Sequence, residues 1–337
     1  MIRFAILGTG ESAEKFYQAN RFVRGFELAA VYDIEMDRVK EFCFRKGQPA
    51  AYDDLAALAD DNRVDAAYIS GPAGSHYEQA VALLNAGKHV LCQSPLAGDS
   101  REAEEMYRIA EEKGLVLLEA ATSRYTPGFK EMTRYVNTMG KIRYACFQNS
   151  CHLREYESYK KGLVRGVFDQ ENSGGALRVM AAGPVASMVE MFGAPDKVSA
   201  FGVTLDSGVN AAGTIIMNYE DMIGEVQYSV ITDSVVPSQI QGEEASMMIK
   251  DIELVKDLKI RRGSVNQVIH FDQSDNAFNH VTETFINMVA DGVCDRTGSE
   301  KAAAESKTSY DRCRENSLSV VNILEEAARQ LIGRDEE

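Results

Sequence analysis

Arg3-Phe4-Ala5-Ile6-Leu7-Gly8-Thr9-Gly10-Glu11-Ser12-Ala13 is the stretch that decides the fold. Arg3 to Leu7 is a short apolar run of strand character, and the G-x-G-x-x-A that follows leads into a segment, Ala13 to Phe22, that can be helical. Each small residue has a physical reason. Gly8 permits the tight turn, Gly10 lets the backbone approach a pyrophosphate, and Ala13 allows close packing of helix on strand. The helix N-terminus then offers free N–H groups and a positive dipole end to phosphates. A glycine turn alone is weak evidence, because glycine turns open many helices.

The surrounding sequence strengthens it. Glu27 to Tyr32 reads as the next strand and ends in Asp33, about 20 residues beyond the glycines, where a carboxylate can bind adenosine ribose hydroxyls. Asp33 favours NAD, because it would repel the 2′-phosphate of NADP. Its alternative role is to cap the helix Met36 to Phe44. Strands at Ala66 to Ser70, His89 to Cys92 and Leu115 to Ala120 then alternate with helices at Ser75 to Ala86 and Ser100 to Lys113. Such alternation implies a doubly wound parallel sheet, with ligands beyond the carboxyl ends of its strands. Gly8, Asp33, Pro72 and Gln93 all fall there.

The whole chain has 337 residues, enough for two domains with separate cores. It carries 36 basic against 51 acidic side chains, a formal charge of −15 that argues against general nucleic-acid or anionic-membrane binding. No apolar run approaches the roughly 20 residues that cross a bilayer, and the apolar start runs directly into a turn of the fold rather than a cleavage site. The six cysteines are scattered without metal spacing and read as reduced thiols of a cytoplasmic protein. Only five histidines are present, so no metal site is expected.

The run Val64 to Ala97, V-D-A-A-Y-I-S-G-P-A-G-S-H-Y-E-Q-A-V-A-L-L-N-A-G-K-H-V-L-C-Q-S-P-L-A, resembles the Gfo/Idh/MocA family of NAD(P)-dependent oxidoreductases, the glucose–fructose oxidoreductase and inositol dehydrogenase relatives. Pro72, His76, Ala86 to Cys92 and Pro95-Leu96-Ala97 match the family pattern. So do Arg101-Glu102-Ala103, Glu119-Ala120, Gly140-Lys141-Ile142 and Ser173 to Leu177, so the likeness covers nearly the whole chain. It implies an N-terminal Rossmann domain over residues 1–121. Residues 122–337 would form an α+β domain with an open, mostly antiparallel sheet, whose last helices can pack back on the first domain. Gly8, Thr9, Gly10, Glu11, Ser12, Ala13, Asp33, Gly71, Pro72, His76, Gln93 and Ser94 are the expected cofactor-binding residues. Independently, β-type segments recur at Lys141 to Leu153, Val198 to Leu205, Ala211 to Tyr219, Gly224 to Ile231 and Leu258 to Arg262. Helical stretches at Asn276 to Asp291 and Tyr310 to Ile332 close the chain.

The catalytic positions implied by the resemblance are all replaced. The family's E-K-P reads Gln93-Ser94-Pro95, so a serine stands where a lysine is usual. In G-G-A-L-x-D-x-G-x-H, the Asp and the His or Tyr become Val179 and Gly183. Four residues apart, those positions would project from one helix face into the cleft. The small replacements would enlarge the pocket. Hydride transfer from an alcohol needs a group that accepts the hydroxyl proton, and a positioned one contributes roughly 10²–10⁴ in rate. Candidate substitutes are Tyr125, Tyr159 and Arg178, with Arg124, His152, Tyr156 and Arg165 nearby by analogy. The stretch His152 to Lys161 otherwise reads as a solvated surface loop, and His89 as a satisfied structural histidine.

Two functions follow from different classes. One is an NAD-using oxidoreductase with a non-standard or impaired site, acting on a sugar, polyol or diol-like substrate. The other is a catalytically silent relative that binds NAD(H) and serves as a sensor, regulator or partner subunit. A redox-neutral enzyme with permanently bound NAD lacks the same base. The acidic balance and the missing lysine suggest a neutral small-molecule ligand. The resemblance also implies a homodimer or homotetramer associating through the second sheet.

Overall fold

Short apolar strands separated by amphipathic helices build the first half of the computed structural model, which describes residues 1–169, 175–294 and 302–332. The elements are β1 (Ile2–Leu7), α1 (Glu11–Asn20), β2 (Phe26–Tyr32), α2 (Met36–Phe44), β3 (Ala50–Tyr52) and α3 (Leu55–Ala59). They continue with β4 (Ala66–Ile69), α4 (His76–Asn85), β5 (His89–Gln93), α5 (Ser100–Lys113) and β6 (Leu117–Ala120). The six strands pair in the order β3-β2-β1-β4-β5-β6, all parallel. Every residue of β4 and of β6 is buried, as expected where helices cover both faces of a parallel sheet. The strand order reverses at β1 and β4, and the crevice beyond their carboxyl ends is where such sheets take ligands.

The chain divides into two compact units, Met1–Ala120 with Asn276–Leu318, and Ala121–Asp275 with Ser319–Glu337. Aromatic packing places a late helix in the first unit. Phe16 of α1 stacks on Tyr68 with ring centroids 3.9 Å apart. Phe278, which opens the helix Phe278–Ala290, packs edge-on against Phe16 at 5.7 Å, and Phe285 lies 5.7 Å from Phe4. The buried Tyr68 hydroxyl shares a hydrogen bond of 2.9 Å with Ser12 Oγ, which fixes the start of α1 on the sheet.

His89 opens β5, and its Nδ1 accepts the Val116 N–H at 2.9 Å. Burial lowers its pKa from 6.5 to about 4, so the folded protein holds it neutral. Because the folded value lies below the unfolded one, its contribution is complete above pH 6.5 and is lost as pH falls towards 4. Denaturation at both ends of that window is expected to show wild type losing about 3 kcal/mol more than His89→Gln. Equal losses in the two proteins would contradict this.

The second unit is built on an eight-stranded sheet: β7 (Ile142–Ser150), β8 (Lys197–Thr204), β9 (Asn210–Asn218), β10 (Ile223–Ser229), β11 (Ser238–Gly242), β12 (Ser246–Ile249), β13 (Asp257–Arg262) and β14 (Val265–His270). The order is β14-β13-β12-β11-β7-β10-β9-β8, antiparallel except for the central β7–β10 pair. On β10, Gly224, Val226 and Tyr228 are buried while Ile223, Glu225 and Gln227 point the other way, the two-residue alternation of a one-sided sheet. The buried face meets a core that includes Phe147, Ile215, Met217, Val185, Met188, Val320 and Leu324. Ser199, Ile216, Glu225, Cys146, Gln239, Met248, Lys259 and Val268 pair across the opposite face.

Two local readings are corrected. Residues 155–159 form a helical turn, α7 (Glu155–Tyr159), in what reads as a solvated loop. Tyr156 and Tyr159 stack on the buried Phe168, with centroids 5.6 and 5.3 Å away, and that apolar anchor gives the polar segment its order. Val179 and Gly183 do not share one helix. Val179 lies in the helix Gly175–Met180, one residue before its end, whereas Gly183 lies in the first turn of Ala182–Phe192. Pro184, which cannot donate to a preceding turn, is accommodated where a helix begins.

Candidate functional site

In the first unit the glycine turn joins β1 to α1. Gly8 has φ +99°, a conformation that favours glycine, and a Cβ there would stand 2.8 Å from Ser70 Oγ. Gly10 is different. Its φ of −77° suits any residue, and a Cβ would meet nothing within 4 Å. The protein's own packing therefore gives no reason for glycine at position 10, and close approach of a ligand does. Gly10 precedes α1 without a side-chain cap, leaving the helix-start N–H groups available to an anion. Glu11 turns outward to Lys15, 2.8 Å away, and that hydrogen bond lowers its pKa. Ala13 is fully buried beneath the turn.

Thr9 Oγ1 donates to Asp33 Oδ2 at 2.7 Å, tying the glycine turn to the end of β2. Asp33 Oδ1 accepts the Glu35 N–H at 3.2 Å, and Glu35, not Asp33, occupies the cap position of α2. A carboxylate has about four acceptor sites, so ribose hydroxyls can still be bound. Gly71 and Pro72 follow β4. The buried His76 ring lies with Nε2 2.9 Å from the Gly71 carbonyl oxygen and Nδ1 3.0 Å from that of Pro95, linking the two loops beyond β4 and β5.

Gln93 and Ser94 end β5. Gln93 Oε1 is buried and accepts no hydrogen bond among the described residues, as expected of a group awaiting a donor from a ligand. Ser94 Oγ donates to the fully buried Glu119 at 2.7 Å, a contact the sequence does not reveal. The Ser94–Pro95 peptide is cis. The open space over Gly10, the uncapped helix start, Asp33 and the orphaned Gln93 oxygen together fit a nicotinamide dinucleotide. Bound there, such a cofactor supplies a two-electron acceptor or donor. Gly8, Gly10 and the α1 N–H groups would hold its pyrophosphate, Asp33 a ribose, and Gln93 the nicotinamide end.

The second unit holds the other candidate residues. Tyr125 ends the 3₁₀ turn Thr122–Tyr125 and is 6% exposed, with the Arg124 guanidinium 5.0 Å over its ring. Arg124 also pairs with Glu190 at 4.0 Å. The Tyr159 hydroxyl accepts the Ser207 N–H at 3.2 Å. Arg165 donates to Ser158 Oγ at 3.3 Å, and His152 Nε2 is 3.5 Å from Glu157. Arg178 is half-buried, and Val179 is 49% exposed. Among the described residues no three His, Cys, Asp or Glu side chains converge as a metal site.

Another side chain lies against Gly183. A methyl group there would overlap Glu253 Oε1 and stand 3.3 Å from Glu253 Cδ, so a carboxylate fills the space. Asn149 Nδ2 donates to the same oxygen at 3.1 Å. Neither residue is adjacent in sequence to Gly183, and no motif signals the meeting.

Residues 2–121 match the sequence profile of an oxidoreductase family with an NAD-binding Rossmann fold, GFO_IDH_MocA. The chain is 32% identical to scyllo-inositol 2-dehydrogenase (NADP(+)) IolU of Bacillus subtilis (strain 168), covering 98% of this chain and 97% of the relative. It is 26% identical to trans-1,2-dihydrobenzene-1,2-diol dehydrogenase of Danio rerio over 65% of each chain. In fold it resembles KijD10, a 3-ketoreductase from Actinomadura kijaniata solved with NADP and TDP-benzene, with a TM-score of 0.83, 20% identity and 98% of both chains covered.

Proposed function

This chain belongs to the Gfo/Idh/MocA family of oxidoreductases, and from that premise we propose that it transfers hydride between a neutral polyol or diol-like substrate and NAD. The observation that carries the reading is Gly10, whose glycine the protein's packing does not require and a bound dinucleotide does. The inositol and dihydrodiol dehydrogenases among its relatives support a substrate rich in hydroxyl groups. Asp33 supports NAD, because a carboxylate at the end of β2 would repel the 2′-phosphate of NADP.

The replaced positions Ser94, Val179 and Gly183 favour a second reading, a silent relative that binds NAD(H) without turnover. One experiment separates the two. NAD and NADP are titrated by cofactor fluorescence, and nicotinamide reduction is then followed with scyllo-inositol, glucose, xylitol and trans-1,2-dihydrobenzene-1,2-diol. Tighter binding of NAD with turnover of one of these supports the dehydrogenase. Binding without turnover supports the silent relative, and no binding overturns both.

Self-association through the outer face of the second sheet is part of the proposal. Phe201, Met248 and Val268, 44–66% exposed, lie on that face, and burying them against a second copy supports a dimer or tetramer.

A further inference from the structure

We propose that Asp53, at the end of β3, is a second determinant of cofactor choice, which works beside Asp33 to reject the 2′-phosphate of NADP. The proposal rests on the NAD reading above and concerns the first unit alone.

Strand register sets the two acids side by side. β2 and β3 run parallel with Tyr32 opposite Tyr52, and the Asp33 N–H donates to the Tyr52 carbonyl oxygen at 3.2 Å. Asp33 and Asp53 are the next residues beyond those strand ends, and adjacent strands lie roughly 4.8 Å apart. Both act on one neighbour. The Tyr32 hydroxyl is pushed up by burial first, and then by Asp33, Asp54 and Asp53.

Asp53 has no other task in the fold. α3 opens at Leu55, and it is Asp54 that caps it, its carboxylate accepting the Ala56 and Ala57 N–H groups at 2.8 and 3.2 Å. The Asp53 side chain is exposed and enters no hydrogen bond or ion pair among the described residues. Asp33, by contrast, is held. Thr9 Oγ1 donates to its Oδ2 at 2.7 Å and the Glu35 N–H to its Oδ1 at 3.2 Å, so this carboxylate cannot turn from an approaching anion without breaking both. The basic residues nearest the two acids in sequence are engaged elsewhere, Arg38 with Glu35 at 2.9 Å and Lys46 with Glu14 at 2.5 Å.

A ligand is called for independently of these acids, by the open space over Gly10 and the orphaned Gln93 oxygen. A ribose hydroxyl can donate to a carboxylate. A phosphate in its place carries about −1.5 to −2 charge and is repelled by both acids. The exposed Asp53 acts through its charge, so its share of the repulsion weakens as salt rises.

Calorimetric titration of the full chain with NADH and with NADPH, at about 0.1 M and about 1 M NaCl, tests this. Wild type is expected to bind NADH roughly 100-fold more tightly at the lower salt. Asp53→Asn should narrow that ratio roughly 10-fold at the lower salt and less than about threefold at the higher, where the screening length falls from ~10 to ~3 Å. Asp53→Glu, which keeps the charge, should hold the ratio within about twofold of wild type. Thr9→Val, which cannot donate, should weaken NADH roughly 10-fold, and Thr9→Ser should not. If wild type binds neither dinucleotide, the cofactor reading falls and Asp53 with it. If wild type binds NADPH at least as tightly as NADH, the preference assigned to Asp33 falls as well. If wild type prefers NADH and Asp53→Asn leaves the ratio within about twofold, or narrows it equally at both salt concentrations, the assignment of Asp53 alone is overturned.

Discussion

Gly128→Ala is expected to destabilise the protein by about 3 kcal/mol or more, the range for overpacking that only backbone movement can relieve. Gly128 lies in the first turn of α6 (Pro127–Val136). A Cβ there would overlap the carbonyl oxygen of Val255 and stand 3.0 Å from Gln273 Oε1. Gln273 bridges the two segments, accepting the Gly128 N–H at 2.8 Å and donating to the Val255 carbonyl at 3.0 Å. Relief therefore means moving the backbone that positions residues 253–255. Urea denaturation checks it, and a loss below about 1 kcal/mol would show that α6 and the 255 segment yield more readily than their packing implies.

Gly10→Val should do the opposite: abolish function while sparing the fold. A Cβ at position 10 meets no atom within 4 Å, and the φ of −77° suits valine. Replacing glycine at a helix cap by an aliphatic residue costs less than about 1 kcal/mol. The isopropyl group would occupy the space through which a pyrophosphate approaches the helix start, and NADH affinity is expected to fall roughly 100-fold. Fluorescence titration beside a thermal melt reads both effects. Unchanged affinity would remove the reason given for glycine at this position.

The first unit was legible because each of its levels agrees. The apolar run of β1, the glycine turn, Asp33 at the end of β2 and the alternation through β6 all indicate one parallel sheet. What escaped there was short: β3 and α3, three and five residues long, are too brief for a periodic pattern. In the second unit β11 reads Ser-Gln-Ile-Gln-Gly and β14 Val-Asn-Gln-Val-Ile-His, polar sequences made strands by their neighbours in the sheet. Val179 and Gly183 read as one helix face and instead lie on two helices, the second starting at Ala182.

The candidate site divides along the same line. Gly8, Gly10 and Asp33 form a local motif whose spacing carries its chemistry. The hydrogen bond of Ser94 to Glu119 and the filling of position 183 by Glu253 depend on chain segments that only the folded protein brings together. Sequence shows which positions implied by the family resemblance carry other residues, and the fold shows that the Glu253 side chain lies against one of them, Gly183.

Transfer of a labelled hydrogen tests the dehydrogenase reading most directly. The protein is incubated with NAD and scyllo-inositol deuterated on its carbons, and the reduced cofactor is examined by mass spectrometry, with the other three polyols run likewise. Deuterium in the reduced nicotinamide from at least one polyol, lost in Gly10→Val, is the expected result. A protein that binds NADH yet transfers deuterium from none of them would contradict it.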